Sequence, residues 1–242
     1  MADQVRRGFV ATDTKQFDAD SIVVLRKAQA EILYLLERGY PIKSASTFVG
    51  NHYLLSERQR LAVVRATAEK SVVNKRLRKQ LAKTAAAEKV SIDGMNLIIT
   101  LEVALSGSTL VKCMDKTIRD LAGLRGTYRL IDKTEEAILL VGKKLTEMEA
   151  SEVEFFLDAP VSNTGRLKSK ILALLADFPF QVSVELVPNA DVILERLGHV
   201  VTSDAIILNK CKSYYNLAAE IIEEKLPGLY IIDLSREEAT AL

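Results

Sequence analysis

The chain has 242 residues, 48% of them apolar and 27% charged, with a formal net charge of +1. That length supports a core of about 150 residues plus a smaller second unit. No apolar run approaches the ~20 residues of a bilayer span and the first residues lack a signal-type apolar segment, so a cytoplasmic protein with no membrane partner is expected. Cys113 and Cys211 are read as reduced thiols, and the two histidines, His52 and His199, offer no zinc pattern.

In chain order, residues 19–38 carry apolar positions at Ile22, Leu25, Ala28, Ile32, Leu35 and Leu36, which predicts a helix with Asp20 or Ser21 as its cap. Arg38-Gly39-Tyr40-Pro41 stops it, and residues 42–50 predict a short helix or turn. From Ser56, where Ser56 and Gln59 have capping-box spacing, a second long helix is predicted to 83. Its apolar seam is free to pack on the first helix or on a copy of itself, which leaves a homodimer open.

From Lys89 onward β-type runs alternate with helical patterns, the signature of a parallel sheet with crossover helices. Strands are predicted at 89–93, 109–113, 153–158, 181–187, 199–203 and 229–233. Helices are predicted at 95–105, 134–149, 165–177, 190–197 and 204–225, with a capping box at Asp132 and Glu135 and Ser203 as cap of the last. The chain therefore divides into a basic helical domain, 1–88, and an α/β domain, 89–242.

The charges divide in nearly the same place. Residues 1–89 hold 17 Lys and Arg against 9 Asp and Glu, whereas residues 90–242 hold 16 against 23. Nine of the basic residues fall between Ser56 and Lys83, with two acids among them. A basic arm on an acidic body fits a nucleic-acid partner, with Arg58, Arg65, Arg76 and Lys79 as candidate contacts; a solvated helix face is the simpler alternative.

Three aspartates, Asp93, Asp158 and Asp204, each follow a short β-type run. In a parallel sheet they emerge on one carboxyl edge, where open α/β sheets place their ligands. Converging carboxylates without a cation beside them in sequence call for a divalent metal. Gly94 permits a sharp exit after Asp93, with Asn96 placed to turn its amide back. Asp158 leads into Ser162, Asn163, Thr164 and Arg166 at a helix start, a ready anion site. Asp191 is a further acid or a helix cap. Arg119 and Arg125, in a glycine-containing stretch with Tyr128, are candidates for a nucleic-acid backbone with some stacking.

The Asp93-Gly94-Met95-Asn96 opening, Asp158 after its strand, and Thr202-Ser203-Asp204 before a helix resemble the PIN/NYN-type nuclease superfamily, over residues 90–242. Over nearly its whole length the chain also resembles an uncharacterised archaeal and bacterial family that joins a helical N-terminal domain to such a module. Arg38-Gly39-Tyr40, Val49-Gly50-Asn51-His52-Tyr53, Arg119-Asp120-Leu121-Ala122-Gly123 and Asp158-Ala159-Pro160-Val161-Ser162-Asn163 carry that likeness.

The resemblance implies a Rossmann-like α/β fold, with a mainly parallel sheet, flanking helices and a small basic all-α domain before it. It implies a ribonuclease dependent on Mg²⁺ or Mn²⁺, with Asp93, Asp158 and Asp204 as metal-binding acids and Asn96 beside them. One departure stands out: the superfamily usually adds an acid from a helix in mid-fold, and here Glu102, Asp120, Glu135 and Glu136 are equally available. The alternatives are a non-catalytic RNA- or protein-binding protein with a degenerate acidic edge, and an enzyme on a small phosphorylated ligand held at Ser162 to Arg166.

Overall fold

The computed structural model describes residues 5–82, 88–123 and 126–236. Its first half is helical: α1 Asp13–Gln16, α2 Ala19–Leu36, α3 Ile42–His52, α4 Glu57–Ala66 and α5 Lys70–Lys79. Asp18, one turn earlier than expected, caps α2 by accepting the Ser21 N–H. Gly39, at φ +81, supplies the left-handed residue that ends it. The Ser56–Gln59 capping box forms with both reciprocal bonds.

The long helix predicted over 56–83 is instead two helices, interrupted at Thr67–Glu69 without proline or glycine. Tertiary bonds make the break. The Ala66 carbonyl accepts the Met114 N–H at 3.0 Å, the Thr67 hydroxyl turns back to the Val63 carbonyl at 2.6 Å, and Glu37 of α2 receives the Lys70 N–H at 2.7 Å. The free N–H groups at the start of α5 thus find an acceptor from another helix. Lys83, the last residue of that predicted helix, lies outside the described residues.

The second half runs β1 Lys89–Asp93, α6 Gly94–Leu105, β2 Leu110–Lys112, β3 Ile118–Asp120, α7 Lys133–Glu147, β4 Glu152–Asp158, α8 Thr164–Leu175, β5 Gln181–Val187, α9 Ala190–Leu194, β6 Val200–Val201, α10 Ala205–Lys210, β7 Tyr214–Tyr215, α11 Leu217–Lys225 and β8 Ile231–Asp233. Five strands form one all-parallel sheet in the order β5-β4-β1-β6-β7. Alternation along the strands divides the side chains between two cores. Phe155 and Val201 face a large core with α6, α7, α8 and α11, while Phe156 and Val200 face a smaller one with α9 and α10.

Three expectations are corrected here. The strands near 109–113 and 229–233 do not join the main sheet; β2 pairs antiparallel with the unpredicted β3 and parallel with β8 in a second sheet. The helix predicted over 204–225 is divided by β7, whose two tyrosines are fully buried against β6. Asp132 makes no side-chain cap; the Thr134 hydroxyl accepts the Ile131 N–H nearby instead.

The second sheet is the seat of the helical unit. Val111, Cys113, Leu121, Ile232 and Leu234 share one core with Leu25, Ile32, Val49 and Val63. Among the described residues no helix is long and apolar enough to cross a membrane. The chain leaves β1 toward β4 on one side and returns to β6 on the other, so the crevice between the ends of β1 and β6 is a topological switch point.

Candidate active site

Asp93 is the last residue of β1 and the cap of α6, and its position follows from the glycine beside it. A Cβ on Gly94 would lie 2.6 Å from Leu157 Cδ2 and 3.3 Å from the Phe156 carbonyl oxygen, so only glycine lets α6 start this close to β4. The Asp93 Oδ1 accepts the Asn96 N–H at 3.3 Å, and its Oδ2 accepts the Thr202 hydroxyl at 2.9 Å. The residue is 5% exposed. Burial is the main force pushing its carboxyl up, to about 7; the hydrogen bonds from Thr202 and Asn96 oppose it, and the charges of Asp204 and Asp191 reinforce it.

The exits of β1 and β6 are tied together. Asn96 Oδ1 accepts the Ser203 hydroxyl at 2.6 Å and the Ser203 N–H at 3.3 Å, while Thr202 Oγ1 accepts the Asp204 N–H at 3.0 Å. Asp204, not Ser203, caps the following helix: its Oδ1 accepts the N–H groups of Ile206 at 2.7 Å and Ile207 at 3.3 Å. Asp158 ends β4 and binds the Ala190 N–H at 2.8 Å, which seats α9 on the same edge. Asp191, in the first turn of α9, is half-buried; burial raises its carboxyl, and the charges of Asp204, Asp158 and Glu195 raise it further.

All four aspartates therefore meet one carboxyl edge, with Asp204 and Asp191 acting on Asp93, and Asp158 acting on Asp191. Among the described residues, no three acid, histidine or cysteine side chains stand close enough to hold a single ion as a preformed cage. The donor set is still one of hard oxygens. Magnesium is commonly held by one or two carboxylates, with water and substrate phosphate completing its shell. Asp93 and Asp204 fit that pattern, and Asp191 lies beside them.

The predicted nucleic-acid contacts are mostly turned inward. Arg58 places its fork on Asp13 at 2.6 and 2.7 Å and donates to the carbonyls of Leu121 and Gly8. Arg76, 4% exposed, donates to Asp115 at 2.7 Å and Asn209 at 2.8 Å. Lys79 reaches the carbonyls of Leu208 and Asn209 at the end of α10. Arg119, buried, donates to the Ser203 carbonyl at 2.7 Å, to Asp115 at 2.7 Å and to the Arg65 carbonyl. Burial works against the Asp115 charge, yet Arg119, Thr117 and Arg76 hold its carboxyl below the usual range.

Arg65 is less enclosed: it donates to the Asp120 carbonyl and lies 3.6 Å from the Asp120 carboxylate, yet keeps 32% of its side chain exposed. On α5 the outward cations are Lys70, at its start, Lys75 and Arg78. Arg166 is exposed in the first turn of α8, and Asn163 before it, at φ +65, donates to the Tyr128 carbonyl at 2.6 Å. Tyr128 is fully buried with its hydroxyl on Glu102 at 2.8 Å, so it has no face for a base. Arg125 lies outside the described residues.

A cleft of about 410 Å³ is lined by Arg65, Arg76, Arg119 and Asp120 together with Asn96, Ser203 and Asp204; it reaches the acidic edge at Asp204, while Asp93, Asp158 and Asp191 are not among its lining residues. It runs between the helical unit and the switch point, two places where ligand sites concentrate. Sequence reasoning missed Thr202 as the residue that orients Asp93 and Asp115 as the anchor of two arginines. The first carries a weak signal in Thr-Ser-Asp; the second carries one in the four-residue spacing of Asp115 and Arg119, whereas Arg76 is 39 residues away and leaves none.

Residues 82–220 match the family described as Domain of unknown function (DUF5616), and residues 24–79 match that described as Protein of unknown function (DUF434). The uncharacterized protein MJ0935 of Methanocaldococcus jannaschii is 35% identical over 203 residues, covering 82% of this chain and 97% of the relative. No solved structure matches.

Proposed function

We propose, for this chain, which belongs to the family joining a DUF434 unit to a DUF5616 domain, metal-assisted hydrolysis of RNA phosphodiester bonds at the carboxyl edge around Asp93. One observation carries this reading: a buried carboxyl pushed to about 7, flanked by Asp204 and Asp191, without a paired cation among the described residues. Such an arrangement is costly to the fold and is the expected form of a site that completes itself with an ion. RNA, and the PIN/NYN-type chemistry, rest on the resemblance of Asp93 to Asn96, Asp158 and Thr202 to Asp204 to that superfamily.

Mg²⁺ or Mn²⁺, held by Asp93 and Asp204, would supply charge neutralisation at a phosphoryl oxygen and an acidified water. The protein's own residues do the rest. Thr202 and the Asn96 N–H fix the Asp93 carboxyl, which would have to be deprotonated to serve as a ligand. The Asn96–Ser203 pair keeps the ends of β1 and β6 at constant separation. Arg65, across the cleft, meets a phosphate, and the exposed Lys75, Arg78 and Arg166 steer the polyanion.

A second reading, a non-catalytic RNA- or protein-binding protein, is favoured by the capping roles of Asp158 and Asp204. Cleavage of an end-labelled single-stranded RNA, with Mg²⁺ or Mn²⁺, separates the two. For a hydrolase, Asp93→Asn and Asp204→Asn each lower the rate at least 100-fold while the RNA Kd changes less than threefold; asparagine keeps the α10 cap. Undiminished cleavage by Asp93→Asn, or a wild type that binds RNA and cleaves none with either metal, refutes hydrolysis at this edge.

A further inference from the structure

A second cleft, of about 200 Å³, opens between α2, the start of α5, the β2–β3 turn and the segment after β8, and shares no lining residue with the cleft at Asp204. Among the described residues its walls carry four cations, Arg26, Arg38, Lys70 and Arg236, and one carboxylate, Glu37; the cations that bear on a ligand are the two arginines of α2 and its end, Arg26 and Arg38. Glu37 is engaged through Oε1 with the Lys70 backbone N–H. Arg236 stands 3.6 Å from Asp233, outside hydrogen-bond range, and is largely exposed.

Among the described residues the remaining two guanidiniums lack a counter-charge. There Arg26 donates to the Asp233 carbonyl, at 3.3 Å, and its Nε is shut away from solvent without an acceptor. Arg38 lies over the Tyr34 ring at 3.4 Å from its centre and donates to the Tyr34 carbonyl at 3.1 Å. Neither arginine has a carboxylate partner among the described residues, unlike Arg58, Arg76 and Arg119, whose forks are closed by Asp13 or Asp115. Arg26 is half-buried, and a half-buried guanidinium with an unmet donor is unfavourable unless an anion meets it; Arg38, exposed at the mouth of the cleft, adds a second fork. Beneath these cations Leu33 and Met114 are buried and apolar, a floor for something other than a bare ion.

We propose that this cleft binds a phosphorylated small organic molecule of nucleotide size. Arg26 and Arg38 take the phosphate, for which a planar fork is better suited than an ammonium. The organic body rests on Leu33, Met114 and the Tyr34–Arg38 stack. The site is independent of the acidic edge and of the reaction proposed there.

Isothermal titration of the full chain in EDTA tests it with three probes: adenosine 5′-monophosphate, adenosine and inorganic phosphate. The monophosphate is expected to bind at least tenfold more tightly than either fragment. Arg26→Gln and Arg38→Gln each weaken it at least tenfold, while Asp93→Asn leaves it unchanged. Arg38 is exposed, so its variant keeps the fold even if the Arg26 variant is less stable. Absence of monophosphate binding at millimolar concentration overturns the proposal. So does phosphate binding as tightly as the monophosphate, an Arg38→Gln variant that binds like wild type, or loss of binding in Asp93→Asn.

Discussion

Replacing Asp93 by asparagine should make the protein more stable in neutral and alkaline solution, an unusual outcome for a buried, hydrogen-bonded residue. The wild-type carboxyl is raised from 3.8 to about 7, chiefly by burial. The folded state therefore holds this proton more tightly than the unfolded chain. Full stability is present below about pH 4 and is lost as the pH rises through 7. About three pKa units at 1.36 kcal/mol each give a loss of about 4 kcal/mol, of which roughly 2–3 kcal/mol falls between pH 5 and 8.

Asparagine stays neutral over this range. Its carbonyl still accepts one of the two bonds now made by Thr202 and Asn96, and the Thr202 hydroxyl can turn to accept from the new amide. Urea unfolding of wild type and variant at pH 5 and pH 8 in EDTA isolates the term, because the other titrating groups cancel in the difference. The variant should gain about 2–3 kcal/mol on wild type between the two pH values. Parallel stability curves would refute the reasoning, since they would mean that Asp93 ionises in the fold as easily as in water. With metal in place of EDTA, Mg²⁺ or Mn²⁺ at about 100 times its Kd should raise the wild type alone by about 2.7 kcal/mol at pH 8.

Asp115→Ala leaves Arg76 and Arg119 buried with no carboxylate and should cost about 3–5 kcal/mol in denaturant unfolding; a loss under 1 kcal/mol would show that the pair is not what joins α5 to β3. Because the Asp115 carboxyl is held below 3.8, the wild-type contribution persists at neutral pH and fades only below that value, so the cost should shrink in acid. Arg7→Ala removes the cation 2.5 Å from fully buried Glu102, whose carboxyl is already raised, mainly by burial. It should cost about 2–4 kcal/mol at pH 8 and less as the pH falls, because the raised Glu102 carboxyl takes up a proton before an unfolded one does; a cost independent of pH would rule out Glu102 as the cause.

The parts of the fold that were legible are those specified within a few residues. A short apolar β-type run reveals β4, whose neighbours Phe155 and Phe156 enter different cores because both faces of the strand are buried, and Ser56 and Gln59 reveal the start of α4 because both ends of the capping box lie in one turn. That Asp93, Asp158 and Asp204 leave their strands on one edge of the sheet follows from the same local reading, although no three acid, histidine or cysteine side chains among the described residues close on a single ion. Strands that run parallel put whatever follows them on one edge. The break at Thr67–Glu69 is invisible by this route, since its causes are Met114 and Glu37, and so is β7, a two-residue strand made by pairing with β6.

The cations show why the interface was harder to read than the carboxyl edge. Residues 1–89 carry a balance of +8 and residues 90–242 one of −7, and a charge count alone cannot tell a ligand surface from two halves that neutralise each other. In the folded chain much of that attraction is internal: Arg76 meets Asp115, Arg65 approaches Asp120, Arg119 ties Asp115 to the Ser203 carbonyl, and Lys79 closes the end of α10. The basic unit is thus first a clamp on the switch point. What remains for a polyanion is the partly exposed Arg65, with Lys75, Arg78 and Arg166. Because only a few such cations are left, the salt dependence of RNA binding should be shallow, with a log–log slope of about −3 rather than the −6 or steeper that nine free basic residues on one helix would give. A steep slope would mean that the clamp opens to bind, and that the helical unit moves away from β3 to do so.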